Sequence, residues 1–385
     1  PIWTAGRSWT APVHDRDTLG PGLRITGPAL VREAIATTVI EPGWEAEVLP
    51  NGALLLESRR IVEHATIAGD TADPVLLELF NSLFMGIAEQ MGAVLQNTST
   101  SVNIKERLDF SCAVFDATGA LIANAPHVPV HLGAMGESVR TVLANRGDSL
   151  RPGDAVVLND PFHGGTHLPD ITVVTPVFDE DGARIRFVVA NRGHHADIGG
   201  ITPGSMPPDS TMLEQEGIVI DDFLLMQGGR FREDALRALL NAGPYPARSP
   251  DVNIADLKAQ LAANETGARE LRALVARYGW ECVSAYAGHV HANAEESVRR
   301  AIDRIGDGAF TYPMDDGATL QVAVRVDRAR RGAVVDFTGT SAQRPGNFNA
   351  PPAITYAAVL YAFRCLIGGD IPLNEGCLRP LDIVI

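Results

Sequence analysis

Lysine is almost missing from this chain of 385 residues: Lys105 and Lys258 are the only two. Acidic residues outnumber Lys and Arg by 47 to 32, giving a formal net charge of -15. Such a surface repels polyanions, which excludes a nucleic-acid partner. An anionic substrate would need particular arginines or a metal to offset that field. The cysteines, Cys112, Cys282, Cys365 and Cys377, lie far apart and form no CxxC pair. That argues against a zinc ribbon or disulfide framework and fits reduced thiols in the cytoplasm. No apolar run approaches the ~18 residues of a membrane span, and no basic-then-apolar leader stands at the start. A GxxxxGK segment is missing, which excludes a Walker-type phosphate loop. A GxSxG elbow is missing too, which argues against an α/β-hydrolase serine mechanism. What remains is 45% apolar and 21% charged, a composition able to bury a sizeable core in about two domains.

Residues 22–57 alternate short apolar runs with turn signals, and Asn51-Gly52 sits between two such runs as a hairpin signal. This reads as a small all-β unit, domain 1–66, followed by an aperiodic polar stretch and a second domain, 67–385. Asp73-Pro74 opens a helix, with a capping side chain and a proline at the first helical position. Leu76, Leu79, Phe80, Leu83, Phe84, Ile87 and Met91 then keep the spacing of one buried face. Strands are expected at 110–115, 120–123, 156–158, 171–178 and 185–190, with Asp116-Ala-Thr-Gly119 as a hairpin turn. A long Gly/Pro-rich loop is expected at 199–216, long helices at 254–275 and 283–305, strands at 320–326 and 333–337, and a last helix at 353–366. Strands and helices mix without steady βαβ alternation, so the fold class is α+β. Pro1 and the strand-like Leu381-Asp-Ile-Val-Ile385 both read as cuts through folded sequence.

Six of the ten histidines fall between 127 and 195: His127, His131, His163, His167, His194 and His195. They sit in three Gly- and Pro-rich loops next to strands, 125–131, 159–170 and 191–200, where a fixed backbone lets polar side chains converge. His167 and Asp170 can offer a metal an imidazole nitrogen and a carboxylate oxygen, with His194 or His195 completing the set. Asp160, His127, His131 and His163 are candidates for acid–base work. Arg107 is one of few nearby cations and suits a bidentate clamp on a substrate carboxylate. Its alternative is an ion pair with Asp109 or Glu106. Asn159 and Thr166 are further substrate-binding candidates on the same loop. Against all this stands the simpler reading, in which histidines beside glycine turns cap loops or pair with carboxylates. His289 and His291 read as surface or packing residues of a helix, and Cys112 as an inert buried thiol.

The segments 104–112, 127–135, 159–170 and 191–200 resemble the hydantoinase B/oxoprolinase family. Further matches at 256–260, 346–351 and 372–377 extend the resemblance over roughly 74–385. Residues 22–56, with Gly27-Pro-Ala-Leu30 and Thr37-Thr-Val-Ile-Glu-Pro-Gly-Trp44, resemble the closing β segment of a hydantoinase A subunit. An A end running into a B start is similar to the fused oxoprolinase arrangement. The resemblance implies a mixed α/β hydantoinase B-type domain, cut short at its C-terminal end.

It also implies ATP-dependent opening of a cyclic amide, such as 5-oxoproline to glutamate. ATP-Mg would be bound by hydantoinase A-like nucleotide-binding domains upstream of Pro1 or in a partner subunit. Those domains phosphorylate the lactam carbonyl, while the B part handles the phosphorylated intermediate. In acetone carboxylase relatives a metal is held by a His-x-x-Asp pair and a later His. That pattern falls on His167, Asp170 and His194, with His195 adjacent, and the metal would be Mn, Zn or Fe. Assembly into a homo-oligomer is implied as well. Rival implications are N-methylhydantoinase-type ring opening, carboxylation of a small ketone, and a non-catalytic assembly segment.

Overall fold

In the computed structural model, the described residues are 1–4, 7–59, 72–125, 127–367 and 373–385. The chain divides into two compact units, 1–67 and 68–385. The expected boundary between residues 66 and 67, and most of the polar stretch around it, lie outside the described residues.

In the first unit, short strands pair into small sheets. One contains Arg24–Thr26, Trp44–Val48 and Leu54–Ser58, and another Val13–Asp15, Ala29–Arg32 and Thr37–Ile40. Ile25, Ala29, Val31, Ile40 and Ala46 form its core. The hairpin expected at Asn51-Gly52 is present, with Val48 opposite Leu54 and Gly52 at φ 82°, a conformation that favours glycine.

The second unit is built on a seven-stranded sheet in which every neighbouring pair is antiparallel. Its strands are β1 (Phe110–Asp116), β2 (Leu121–Asn124), β3 (Ala155–Leu158), β4 (Asp170–Phe178), β5 (Ile185–His194), β6 (Phe223–Gln227) and β7 (Arg230–Phe231), in spatial order β2-β1-β5-β4-β3-β6-β7. Both faces are covered, which is why the central strands read as continuous apolar runs rather than alternating ones. One face, with Ala113, Phe115, Val156, Val174 and Val188, packs on Met135, Val139 and Val142 of helix α2 (Pro129–Arg146). The other, with Val157, Ile171 and Val173, packs on Leu236 and Leu240 of α3 (Glu233–Leu240) and on Ile254 and Leu257 of α4 (Pro250–Tyr278). Helix α1 (Pro74–Thr98) begins as expected: the Asp73 carboxylate accepts from the backbone of Val75 and Leu76.

Helix α5 (Trp280–Ile302) and α6 (Pro352–Ile367) pack on a second sheet, ordered β8 (Gly308–Pro313), β9 (Thr319–Asp327), β10 (Gly332–Asp336) and β11 (Leu381–Val384). The observed fold is thus α+β. His291 is buried in α5 and donates from Nε2 to the Leu121 carbonyl at 2.8 Å, a packing role. No helix among the described residues is long and apolar enough to cross a membrane.

Two expectations need correction. Residues 129–131 do not extend a loop: they start α2, whose signal was Pro129 at its first turn followed by Met135, Val139 and Val142. Residues 191–194 belong to β5 rather than to a loop. Their polarity concealed the strand, because their partners come from distant elements instead of from solvent.

Candidate functional site

Asp170 opens β4, His194 closes β5, and the two are direct cross-strand partners. Side chains alternate along a strand, so Asp170, Thr172, Arg192 and His194 face α2 while Asn191 and His195 face α4. The contacts follow that alternation. His195 is buried with Nε2 3.1 Å from Gln260 Oε1 and Nδ1 3.1 Å from Asn253 Nδ2, both on α4. His194 Nδ1 instead lies 3.0 Å from Asp170 Oδ1. Adjacent in sequence, the two histidines serve opposite faces of the sheet.

Three imidazoles converge on the Asp170 carboxylate. His131 Nε2 lies 3.0 Å and His167 Nδ1 3.1 Å from Oδ2, while His194 holds Oδ1. Thr166 Oγ1 also donates to Oδ2, at 3.1 Å. Asp170 is only 1% exposed. Burial alone would raise its pKa, but hydrogen bonds from His131, His167 and His194 outweigh it and hold the carboxyl well below the usual range. His131 reaches the site from the first turn of α2, with Nδ1 3.4 Å from Ser111 Oγ.

His167, Asp170 and His194 each direct one ligand atom into a group spanning no more than 4.8 Å, a set able to hold a metal ion. The spacing fits one. Bonds of about 2.1 Å separate neighbouring ligand atoms by about 3.0 Å in an octahedron and about 3.4 Å in a tetrahedron. His167 Nδ1 lies 3.1 Å from Oδ2 and His194 Nδ1 3.0 Å from Oδ1, so whichever oxygen binds has one ring nitrogen at that edge length. Two imidazoles and one carboxylate suit a first-row divalent ion with open positions.

Behind Asp170 lies Arg192, a fully buried guanidinium to which sequence reasoning assigned no role. It donates to Thr172 Oγ1 at 2.8 Å, Ser138 Oγ at 2.7 Å and Thr166 Oγ1 at 3.5 Å, tying β4, α2 and the loop 159–169 together. Burial lowers its pKa to about 10, partly offset by the Asp170 charge, so it stays a cation at neutral pH.

The loop is buckled by Asn159. Its Nδ2 donates to the carbonyls of Leu168 (2.8 Å) and Ile218 (3.0 Å), and its Oδ1 accepts from the Ile220 backbone at 2.6 Å. With every polar atom so engaged, this side chain has no group left for a substrate. The clamp also brings residue 221 beside the loop. His163 Nδ1 lies 3.0 Å from Asp160 Oδ2 and 3.2 Å from Asp221 Oδ2, a second group that could hold a metal. Asp221 was not foreseen, since nothing in its local sequence marks it.

His127 stands apart. Its Nδ1 accepts the Cys112 backbone N–H at 3.2 Å and its ring packs on Phe110, so the proton sits on Nε2 and no lone pair is free for base catalysis. Burial, with the nearby His131, lowers its pKa to about 4. The unfolded chain therefore binds a proton here that the folded chain refuses, and stability falls as pH drops from about 6.5 to about 4. Replacing His127 with glutamine should flatten the stability–pH slope over that range by about 1.4 kcal/mol per pH unit. Urea unfolding at pH 4.5, 5.5 and 6.5 reads this directly, and equal slopes in the two proteins would refute it. Arg107 is exposed and makes no ion pair among the described residues. Cys112 is fully buried, and burial pushes its thiol pKa up, as befits an inert group.

The family model described as Hydantoinase B/oxoprolinase matches residues 73–385. Over its whole length the chain is 45% identical to 5-oxoprolinase 1 of Arabidopsis thaliana, covering 32% of that protein. It is 43% identical to the 5-oxoprolinase of Saccharomyces cerevisiae, with 96% of the chain matching 30% of that protein. A solved structure, the ATP-dependent caprolactamase from Pseudomonas jessenii, aligns with a TM-score of 0.72 at 27% identity, over 82% of this chain and 54% of that one. The chain thus spans roughly a third of the length of these curated relatives.

Proposed function

The chain belongs to the hydantoinase B/oxoprolinase family, and on that footing we propose that it forms the metal-holding part of an ATP-dependent enzyme that opens 5-oxoproline to glutamate. The single observation that carries the reading is the convergence of His167, Asp170 and His194 at one end of the central strands. Whole-length identity above 40% to proteins described as 5-oxoprolinases favours this ring over hydantoins or ketones. ATP-Mg would be bound by hydantoinase A-like domains outside the described chain, whose phosphorylation of the amide oxygen offsets the resonance cost of opening.

His167 and His194 would each give Nδ1, and Asp170 an oxygen, to a divalent Mn, Zn or Fe ion. The chemistry such an ion supplies when bound is polarisation of a carbonyl or phosphorylated imidate oxygen and a lowered pKa of water. The remaining residues position these ligands. His131 and Thr166 hold Asp170 Oδ2, fixing the carboxylate plane. Arg192 balances the buried carboxylate charge and pins Thr166. The cytoplasm, with its reduced thiols, suits the free cysteines.

The test is metal content and glutamate formation in the full-length protein beside His167→Ala and Asp170→Asn. Loss of an outer partner typically costs 10–100-fold, so loss of a ligand should lower turnover by about 100-fold or more, with a matching loss of bound metal. A variant that keeps both metal and turnover, or an active wild type free of metal, would sink the assignment.

A further inference from the structure

We propose that Asp160, His163 and Asp221 form a second divalent-cation site, separate in its ligands from the group around Asp170. One imidazole nitrogen, His163 Nδ1, faces two carboxylate oxygens, at 3.0 and 3.2 Å, and all three atoms lie within 4.8 Å of one another. A ring nitrogen carries at most one hydrogen, so it cannot fully satisfy both carboxylates. Among the described residues neither Asp160 nor Asp221 has an arginine or lysine partner. Two like charges thus approach each other, in a chain of net charge -15, with only a shared imidazole between them. A divalent cation removes that conflict: it takes the ring lone pair and both oxygens at once. The separations of 3.0 and 3.2 Å again fall between the octahedral and tetrahedral edge lengths expected for bonds of about 2.1 Å.

The three ligands are placed by independent anchors rather than by one flexible loop. Asp160 is nearly buried, and its other oxygen, Oδ1, is fixed by the Phe162 backbone N–H at 2.9 Å, which turns Oδ2 towards His163. Asp221 follows Ile220, whose backbone is clamped in both directions by Asn159. It precedes Asp222, whose carboxylate and carbonyl are held by Arg146 at 2.9 and 2.7 Å. The side chains of His163 and Asp221 are 55% and 48% exposed, so water can complete the shell of a bound ion. One nitrogen and two carboxylates form a harder set than the two imidazoles and one carboxylate around Asp170, and they suit Mn²⁺ or Mg²⁺.

Mn²⁺ is the probe. Its binding to the full-length, nucleotide-free protein is measured by titration calorimetry and by the loss of the free-ion magnetic resonance signal, in wild type, Asp221→Asn, His163→Ala and His167→Ala. Asp221→Asn and His163→Ala should each lose one Mn²⁺ equivalent, or bind it at least tenfold more weakly, while keeping the equivalent that His167→Ala loses. The double variant Asp221→Asn/His167→Ala should lose both. Asp221 is half exposed, so its asparagine variant should melt within a degree or two of wild type without metal, which separates lost ligation from lost folding. Unchanged stoichiometry and affinity in Asp221→Asn would overturn the second site, whether or not the Asp170 group binds metal. So would a wild type that loses all its Mn²⁺ binding with His167→Ala alone.

Discussion

Replacing Arg192 with leucine is expected to cost about 3–5 kcal/mol of stability, the range for removing one partner of a buried charge pair. The guanidinium is fully buried and its Nε and Nη2 bonds to Thr172 and Ser138 are 2.8 and 2.7 Å long. Leucine fills most of the volume but leaves these two hydroxyls without their donor, while the Gly164 carbonyl keeps only the Ser138 hydroxyl. It also strips the buried Asp170 of its cation, so that carboxyl becomes easier to protonate. The loop that presents His163 and His167 loses its tie to β5. Arg192→Lys keeps the charge but not the fork, and should recover only part of the loss. Urea unfolding at pH 7.5 measures both variants. A leucine variant within about 1 kcal/mol of wild type would show that neither the charge nor its bonds to the hydroxyls carry the loop.

Gly165→Ala is expected to be nearly as severe for a steric reason. A Cβ at residue 165 would overlap the Asn159 carbonyl and come within 2.6 Å of the Asp160 carbonyl oxygen, both backbone atoms of the clamped loop. The Gly165 N–H already donates to Asp160 at 2.7 Å, so the turn cannot open without breaking its own hydrogen bond. Overpacking of this kind costs about 1–3 kcal/mol. Here the strain falls between His163 and His167, so weaker metal binding should accompany it. Gly86→Ala is the matched control. No atom lies within 4 Å of the added carbon in the α1 interior, and the change should gain up to about 1 kcal/mol. Equal melting temperatures for Gly165→Ala and wild type would show that the loop yields without cost.

Much of the second unit could be read before any coordinates. The α1 start was marked by Asp73-Pro74, and the β1–β2 hairpin by Asp116-Ala-Thr-Gly119, whose carboxylate accepts from residues 118 and 120. The long helices α4 and α5 were also visible, because apolar periodicity persists over several turns. Helix α2 was hidden by its histidine and two glycines near the start. The polar end of β5 was hidden because Asn191 finds its partners on α4, about seventy residues later.

The sequence by itself marked residues 127–195 as the candidate stretch, since six of the ten histidines are concentrated there among glycines and prolines. It also determined the α+β class and the family. Only the tertiary structure decided which residues share a site. Strand alternation sends His194 to Asp170 and His195 to α4, although the two are neighbours in the chain. Packing of α2 against the sheet brings His131 to Asp170 across thirty-nine positions, and the Asn159 clamp brings Asp221 to His163 across fifty-eight. Contacts between residues so far apart depend on register and packing, and no local pattern encodes either.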